Sequence, residues 1–307
     1  MTSSETAPSI SAGFALGRLA AAVERSPIRA LWLNHETAQV VATLYSRGVE
    51  PMRAESLLAL SAGLTDSNPS INTAAARRFW GQALRLWRTR VTTTPAASIP
   101  DITNALRAMS EGDMPAGDLA LEAPLRMGLV TGWALPSVAL ALPPEDSGPR
   151  WSEAFFRLVT ERCIEGLARL EQLERDYARW LQALPASRSD SRLRETVVLL
   201  GTIHALTPRY LVDALGLTRQ AAARLLRQLE DLGIVRQRAS RQRWLIYLAE
   251  NAQPFESVPE NTIILPTDEK ALDEIDRVLD AAYRVLDRSM RRDSEVVLVE
   301  EIAQSGE

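Results

Sequence analysis

The sequence has 307 residues, of which 46% are hydrophobic and 24% charged, and its formal net charge is -4. This composition predicts a normal packed core, and the length allows one large domain or two to three ordinary ones. We expect no membrane span, because no apolar run reaches the roughly 18 residues that one requires. The first residues lack the basic-then-apolar pattern of a secretory signal, and the single cysteine, Cys163, excludes an intrachain disulfide. These features predict a cytoplasmic protein.

The charge is unevenly distributed along the chain. Residues 1–187 carry 18 arginines against 19 acidic residues, whereas residues 188–248 carry 11 arginines against 5 acidic residues, a net of +6. Residues 249–307 carry 6 basic against 15 acidic residues, a net of -9. A basic segment beside an acidic tail raises nucleic-acid binding as a hypothesis.

The predicted fold class is mainly α, with a helical N-terminal domain, a winged helix-turn-helix and a C-terminal amphipathic helix. Residues 1–11 are predicted to be a disordered lead, and apolar residues at spacings of three and four predict a helical domain over 12–184. Its last helix, 151–184, has a spacing that suits either a coiled-coil seam or a long core helix, and we favour the core helix. The polar residues 185–191 are the predicted linker, and 249–307 form an acidic extension with a helix over 268–289.

Residues 192–248 are predicted to form the winged helix-turn-helix. A first helix covers 193–206, and Thr207 with Pro208 begins a second helix that ends at Gly216. Thr218 caps a third helix, and Gly233 follows it where a left-handed residue is favoured. Two short strands then flank a tip at 238–242.

The third helix separates into two faces. The predicted buried face consists of Ala222, Leu225, Leu226, Leu229 and Leu232. The opposite face presents arginine, glutamine and alanine, which suits the major groove, because arginine pairs with guanine or phosphate and glutamine with adenine. Arginines at the tip would reach phosphates or the minor groove, and Arg209 would touch the DNA backbone. The predicted DNA-binding residues are Arg209, Thr218, Arg219, Gln220, Arg224, Arg227, Arg238, Arg241 and Arg243.

The segment TRQAAARLLRQLEDLGIVRQ resembles the recognition helix and wing entry of bacterial winged-helix repressors. It is also similar to the winged helix at the C-terminus of many Fic-family proteins. The stretches NTAAARRFWGQALRLW and LWLNHETAQVVATLYSRG resemble rhizobial, often plasmid-borne, proteins, in which a helical N-terminal domain of unknown function precedes a helix-turn-helix. These resemblances imply a DNA-binding regulator and assign no chemistry.

Signals for catalysis, metals and cofactors are absent from the sequence. Neither His35 nor His204 is followed by the His-Pro-Phe pattern and anion loop of Fic enzymes. The histidines and the cysteine have no zinc spacing, and no glycine-rich phosphate loop occurs. A pair of Cys163 with His204 has no support, Glu36 and Glu55 are expected at the surface, and the tryptophans are expected in the core rather than around a ligand. We therefore predict no enzyme, no catalytic residue, no metal and no cofactor.

The main hypothesis is a bacterial transcriptional regulator that binds double-stranded DNA as a homodimer. An unknown small-molecule or protein effector would act at the N-terminal domain. The alternative is a non-catalytic assembly or maintenance protein, for a plasmid or chromosome, that uses the winged helix for protein contact. A third hypothesis, an enzyme with an unrecognised site, would require a pocket with convergent buried acids in the N-terminal domain.

Overall fold

The computed structural model describes residues 3–45, 57, 71–94, 96–112, 114–143, 150–185, 191–239 and 245–249. The chain divides into two compact units, one made of residues 1–51 and 82–172 and the other of residues 52–81 and 173–307. The predicted domains, 12–184 and 192–248, follow the sequence pattern and differ from these two units. Their limits stay predictions. The centre of the predicted linker, 186–190, most of the acidic extension and its helix 268–289 lie outside the described residues.

The fold is mainly α, as predicted. Within the described ranges, seven helical segments with defined bounds precede residues 188–248. They are α1 (Ser3–Arg25), α2 (Arg29–Tyr45), α3 (Ile71–Trp87), α4 (Ile99–Glu111), α5 (Ala116–Thr131), a 3-10 helix (Pro136–Ala141) and α6 (Trp151–Ala183).

The prediction of a disordered lead over 1–11 is wrong for residues 3–11, because α1 begins at Ser3. Pro8 is compatible with a loop, yet it lies inside this helix. As the sixth residue of the helix, Pro8 lacks the backbone N–H that would donate to the carbonyl four residues earlier, so the helix has one hydrogen bond fewer there. The buried side chains of Ala12, Leu16 and Leu19 give the helix its packing face.

The core of the first unit surrounds the 3-10 helix. This short helix packs against α2 and α5, while α1 contacts α2, α4 and α5. Two tryptophans add directed hydrogen bonds to the apolar packing. The indole N–H of Trp32 donates to the carbonyl of Gly166 at 3.1 Å, and that of Trp87 donates to the carbonyl of Leu121 at 3.1 Å.

The tryptophans support the interpretation as core residues. All those that the structure describes are buried, namely Trp32, Trp80, Trp87, Trp133, Trp151 and Trp180. Trp244 lies outside the described residues. The apolar face of α6 is also buried within the chain, with Phe155, Val159 and Cys163 at 0%, 0% and 1% exposure. This burial favours a core helix over a coiled-coil seam.

The second unit contains the winged helix. Its elements are α7 (Ser191–Ile203), β1 (Ala205–Leu206), α8 (Pro208–Leu215), α9 (Arg219–Asp231), β2 (Val235–Ala239) and β3 (Leu245–Ala249). The sheet has the order β1-β3-β2, with both pairs antiparallel.

The predicted first helix over 193–206 is too long at its C-terminal end. Its last two residues form β1 instead, where Ala205 pairs with Leu248 and Leu206 with Tyr247. His204 has a positive φ of 53°, which turns the chain from α7 into the strand. The backbone N–H of Ala249 donates to the His204 carbonyl at 3.0 Å, so the strand pairing continues up to this turn.

Candidate nucleic-acid interface

Local signals set both ends of α8. The hydroxyl of Thr207 accepts a hydrogen bond from the backbone N–H of Tyr210 at 3.1 Å, and Pro208 occupies the first helical position. Gly216 ends the helix with a φ of 64°, and its N–H donates to the Val212 carbonyl at 3.0 Å. These contacts confirm the predicted caps and fix the turn that leads into α9.

The second cap orients α9. The hydroxyl of Thr218 accepts from the backbone N–H of Ala221 at 3.2 Å, as predicted. At the other end Gly233 has a φ of 68°, and the N–H of Ile234 donates back to the Leu229 carbonyl at 2.9 Å. The helix is therefore held between two defined ends, which limits how far its side chains can shift.

The predicted buried face of α9 is confirmed at its centre. Ala222, Leu226 and Leu229 are 0% exposed. Leu225 is half-buried, and Leu232 is 36% exposed, so the prediction that Leu232 is buried is wrong. Leu232 lies after the last helical residue, where the chain turns at Gly233 and the helical spacing no longer aligns its side chain with the core.

The opposite face of α9 gathers the predicted polar residues. Gln220, Arg224 and Arg227 are exposed and recur at spacings of four and three, which places them on one stripe directly opposite the buried residues. Together with Gln228 and Asp231 they line one shallow concavity. Arg219 is exposed at the edge of this stripe, and Arg209 is exposed in the first turn of α8.

The arginines of this face are available for an anion. Within the described part of the chain, no carboxylate lies within the ion-pairing distance of 4.0 Å from Arg209, Arg219, Arg224 or Arg227. The Nε of Arg227 donates to the Ala223 carbonyl at 3.3 Å, which holds that side chain along the helix. Nearby, burial and the charge of Glu230 raise the pKa of Tyr247, and Arg227 opposes this shift.

The wing is a two-stranded hairpin next to α9. The predicted placement of Arg238 in the tip is wrong, because Arg238 lies within β2 and pairs with Ile246. The backbone ladder includes one more pair, Ala239 with Leu245. The remaining predicted wing residues, Arg241 and Arg243, lie outside the described residues, so their role stays a prediction.

Sequence reasoning missed a buried ion pair in the first unit. The prediction that Glu36 lies at the surface is wrong, because Glu36 is 1% exposed. It accepts two hydrogen bonds from Arg169, Nε to Oε2 at 2.7 Å and Nη2 to Oε1 at 2.6 Å, and the Ser137 hydroxyl donates to Oε1 at 2.7 Å. Burial lowers the pKa of Arg169, but the hydrogen bonds and charge of Glu36 outweigh it, so the pKa lies above its ordinary value.

The contacts of this ion pair lie within the first unit. Its carboxylate is fully engaged, and Cys163 beside it is buried, with burial and the charge of Glu36 raising the thiol pKa to about 12. A thiol with such a pKa is a poor nucleophile at neutral pH. His204 packs edge-on against Trp180 with ring centroids 6.1 Å apart, consistent with the predicted packing role. Among the described residues, no three His, Cys, Asp or Glu side chains are grouped to hold a metal ion.

Comparison with known proteins finds a family similarity within the winged helix. None of the described helices has the length and apolarity needed to cross a membrane. No curated protein matches the chain. Residues 198–243, which contain part of α7 and all of α8, α9 and β2, match the MarR family. The match covers a small part of the chain, so it supports a winged-helix DNA-binding domain in this segment and, at the level of the family, a DNA-binding transcriptional regulator.

Proposed function

We propose that this protein is a bacterial transcriptional regulator that reads duplex DNA through its winged helix. The observation that supports this proposal is the exposed stripe of α9, where Gln220, Arg224 and Arg227 face away from the core. No carboxylate described in the structure pairs with these arginines. The residues named here are proposed contacts, and the resemblance to rhizobial and Fic-family proteins stays a prediction.

The stripe of α9 matches the chemistry of a major groove. Arg224 and Arg227 can donate two hydrogen bonds to guanine or to a phosphate, and Gln220 can pair with adenine. Asp231 lies one turn beyond Arg227 on the same stripe, and its carboxylate disfavours a phosphate there. We therefore place the N-terminal half of α9 in the groove and leave its C-terminal turn outside.

The flanking residues would hold the DNA backbone. Thr218 and Arg219 are exposed at the N-terminus of α9, where backbone N–H groups and the helix dipole favour a phosphate. Arg209 is exposed at the start of α8 and would contact the same backbone. We propose that Arg238, Arg241 and Arg243 on the wing contact phosphates or the minor groove.

A homodimer would give this protein two half-sites. MarR-family proteins commonly act as dimers, which supports the proposal. The apolar face of α6 is used within the chain, so the predicted helix 268–289 is the better candidate for the dimer contact. An unknown effector would act on the helical N-terminal part of the chain. We propose that the protein is cytoplasmic, and we assign it no reaction, because regulation through DNA binding requires none.

The test begins with recovery of bound DNA from the native host, followed by binding measurements on a recovered duplex. The variant R219A/R224A/R227A removes three exposed arginines of α9. We expect a loss of about 3 kcal/mol or more, roughly a 100-fold drop in affinity, because each base-reading pair contributes about 1–3 kcal/mol. The slope of log K against log salt should become shallower by up to about 0.9 for each phosphate that the variant no longer neutralises.

The matched control is R25A/R157A/R175A, which removes three exposed arginines from α1 and α6. It changes the net charge by the same amount, so an equal reduction of affinity in both variants would indicate a general charge effect and contradict the proposal. Unchanged affinity in the α9 variant would leave the alternative, an assembly or maintenance protein that uses its winged helix for protein contact.

A further inference from the structure

A second basic surface lies outside the winged helix. No acidic residue occurs between Asp66 and Asp101, the longest such stretch in a chain that has more acidic than basic residues. The same stretch carries the arginines Arg77, Arg78, Arg85, Arg88 and Arg90. Helix α3 (Ile71–Trp87) occupies its centre, so this helix has several cations and no anion of its own to balance them.

The exposed residues of α3 include a polar stripe, with Leu86, 39% exposed, at its edge. Trp80, Ala83 and Trp87 are 0% exposed and form its buried side. Arg78, Gln82 and Arg85 are exposed, and their spacings of four and three place them together on the side away from the core. Seven residues of helix span about 10 Å, so the two guanidinium groups can reach separate phosphates.

Among the described residues, the arginines of this stripe lack the acidic partner that arginines on other helices have. Several helical arginines elsewhere in the described chain pair with an acidic residue three or four positions away. Such pairs are Arg107 with Glu111, Arg126 with Glu122, Arg162 with Glu165 and Arg179 with Asp176. On α3 no such partner exists in the sequence, and no carboxylate of the described residues lies within 4.0 Å of Arg78 or Arg85.

We propose that the Arg78–Gln82–Arg85 stripe of α3 is a second contact for duplex DNA, which binds phosphates without reading bases. This inference rests on the proposed function, because it assumes that the protein binds duplex DNA. A polyanion complements a cationic stripe that has no carboxylate of the described residues within ion-pairing distance. A membrane surface fits less well, because a helix that binds lipid must offer an apolar face, and the apolar face of α3 is buried in the protein.

The test compares R78A/R85A with a matched control, R157A/R175A, in the full-length chain. Arg157 and Arg175 are exposed on α6 and have acidic neighbours, Glu153 and Glu161 for Arg157 and Glu171 for Arg175. Binding to a random-sequence duplex is measured against salt concentration. With two fewer phosphates neutralised, the slope of log K against log salt should become shallower by about 1.8, whereas the control should keep the wild-type slope. The four substituted arginines are exposed, so we expect unchanged melting temperatures.

The result separates this inference from the proposed function. An unchanged slope in R78A/R85A would overturn the inference, and so would an equal change in the control. The inference would also be overturned if R78A/R85A lost binding to vesicles of anionic lipid but kept wild-type binding to the duplex. Weaker binding in R219A/R224A/R227A with wild-type binding in R78A/R85A supports the proposed function and overturns the α3 contact. The reverse pattern supports the α3 contact and contradicts the role of the winged helix.

Discussion

Replacing Arg169 by alanine should destabilise the first unit far more than an ordinary surface substitution. The change removes two hydrogen bonds of 2.6 and 2.7 Å to Glu36 and leaves that 1% exposed carboxylate with the Ser137 hydroxyl as its remaining described donor. Breaking a buried ion pair by removing one partner costs about 3–5 kcal/mol, because an uncompensated charge stays behind. The Arg169 side chain is 37% exposed, so water can partly replace it, and we expect a cost of about 3 kcal/mol.

The control for this substitution lies on the same helix. Arg162 pairs with Glu165 at 2.8 Å, but that carboxylate is 46% exposed, so R162A should cost less than about 1 kcal/mol. Urea unfolding followed by circular dichroism measures both values, provided that the slope against denaturant stays constant. In the E36Q background R169A should cost about 2 kcal/mol less, since no buried charge is left. Equal costs for R169A and R162A would refute the argument that Glu36 is held by this pair.

Two further predictions concern the same region. G166A should destabilise the protein by about 1 kcal/mol, because the new Cβ would lie 2.8 Å from Ser137 Oγ. G17A is the control: its Cβ would meet no atom within 4 Å, so this substitution should be neutral or stabilising. The Cys163 pKa of about 12 in the folded protein lies above the unfolded value of about 8.5. The folded state is therefore favoured while the thiol is protonated, and this contribution to the free energy of unfolding is present below about pH 8.5 and lost as pH rises towards 12. Between about pH 7 and 10 the free energy of unfolding of the wild type should fall by roughly 1.5–2 kcal/mol more than that of C163A, and equal decreases would contradict this.

The sequence predicts best where structure depends on neighbouring residues. Thr207, Gly216, Thr218 and Gly233 are predicted correctly because a cap is a contact between residues at most a few positions apart. The stripe on α9 is predictable for the same reason, since helical spacing alone separates its arginines and glutamine from the leucines. The DNA-binding role of these residues stays a prediction.

Predictions failed where a distant partner decides the structure. Ala205–Leu206 has the pattern of a helix end, and it becomes a strand because β3, the last strand of the sheet in chain order, supplies its hydrogen bonds. Glu36 has the pattern of a surface acid, and it is buried because Arg169, 133 positions away in the sequence, pairs with it. No local pattern indicates either partner. The helix at residues 3–11 is continuous with the buried face formed by Ala12, Leu16 and Leu19, which lies beyond the predicted lead.

The order of the small sheet has a mechanical consequence for any signal that acts on the wing. β3 is the central strand, so it is bonded to β2 on one side and to β1 on the other. The strand β1 leads through Thr207 directly into α8, the first helix of the helix-turn-helix. A displacement of the hairpin must therefore either carry the start of α8 with it or break the ladder between Leu206 and Tyr247. The described strands of the wing are thus connected to the start of α8 by backbone hydrogen bonds, and not by side-chain packing alone.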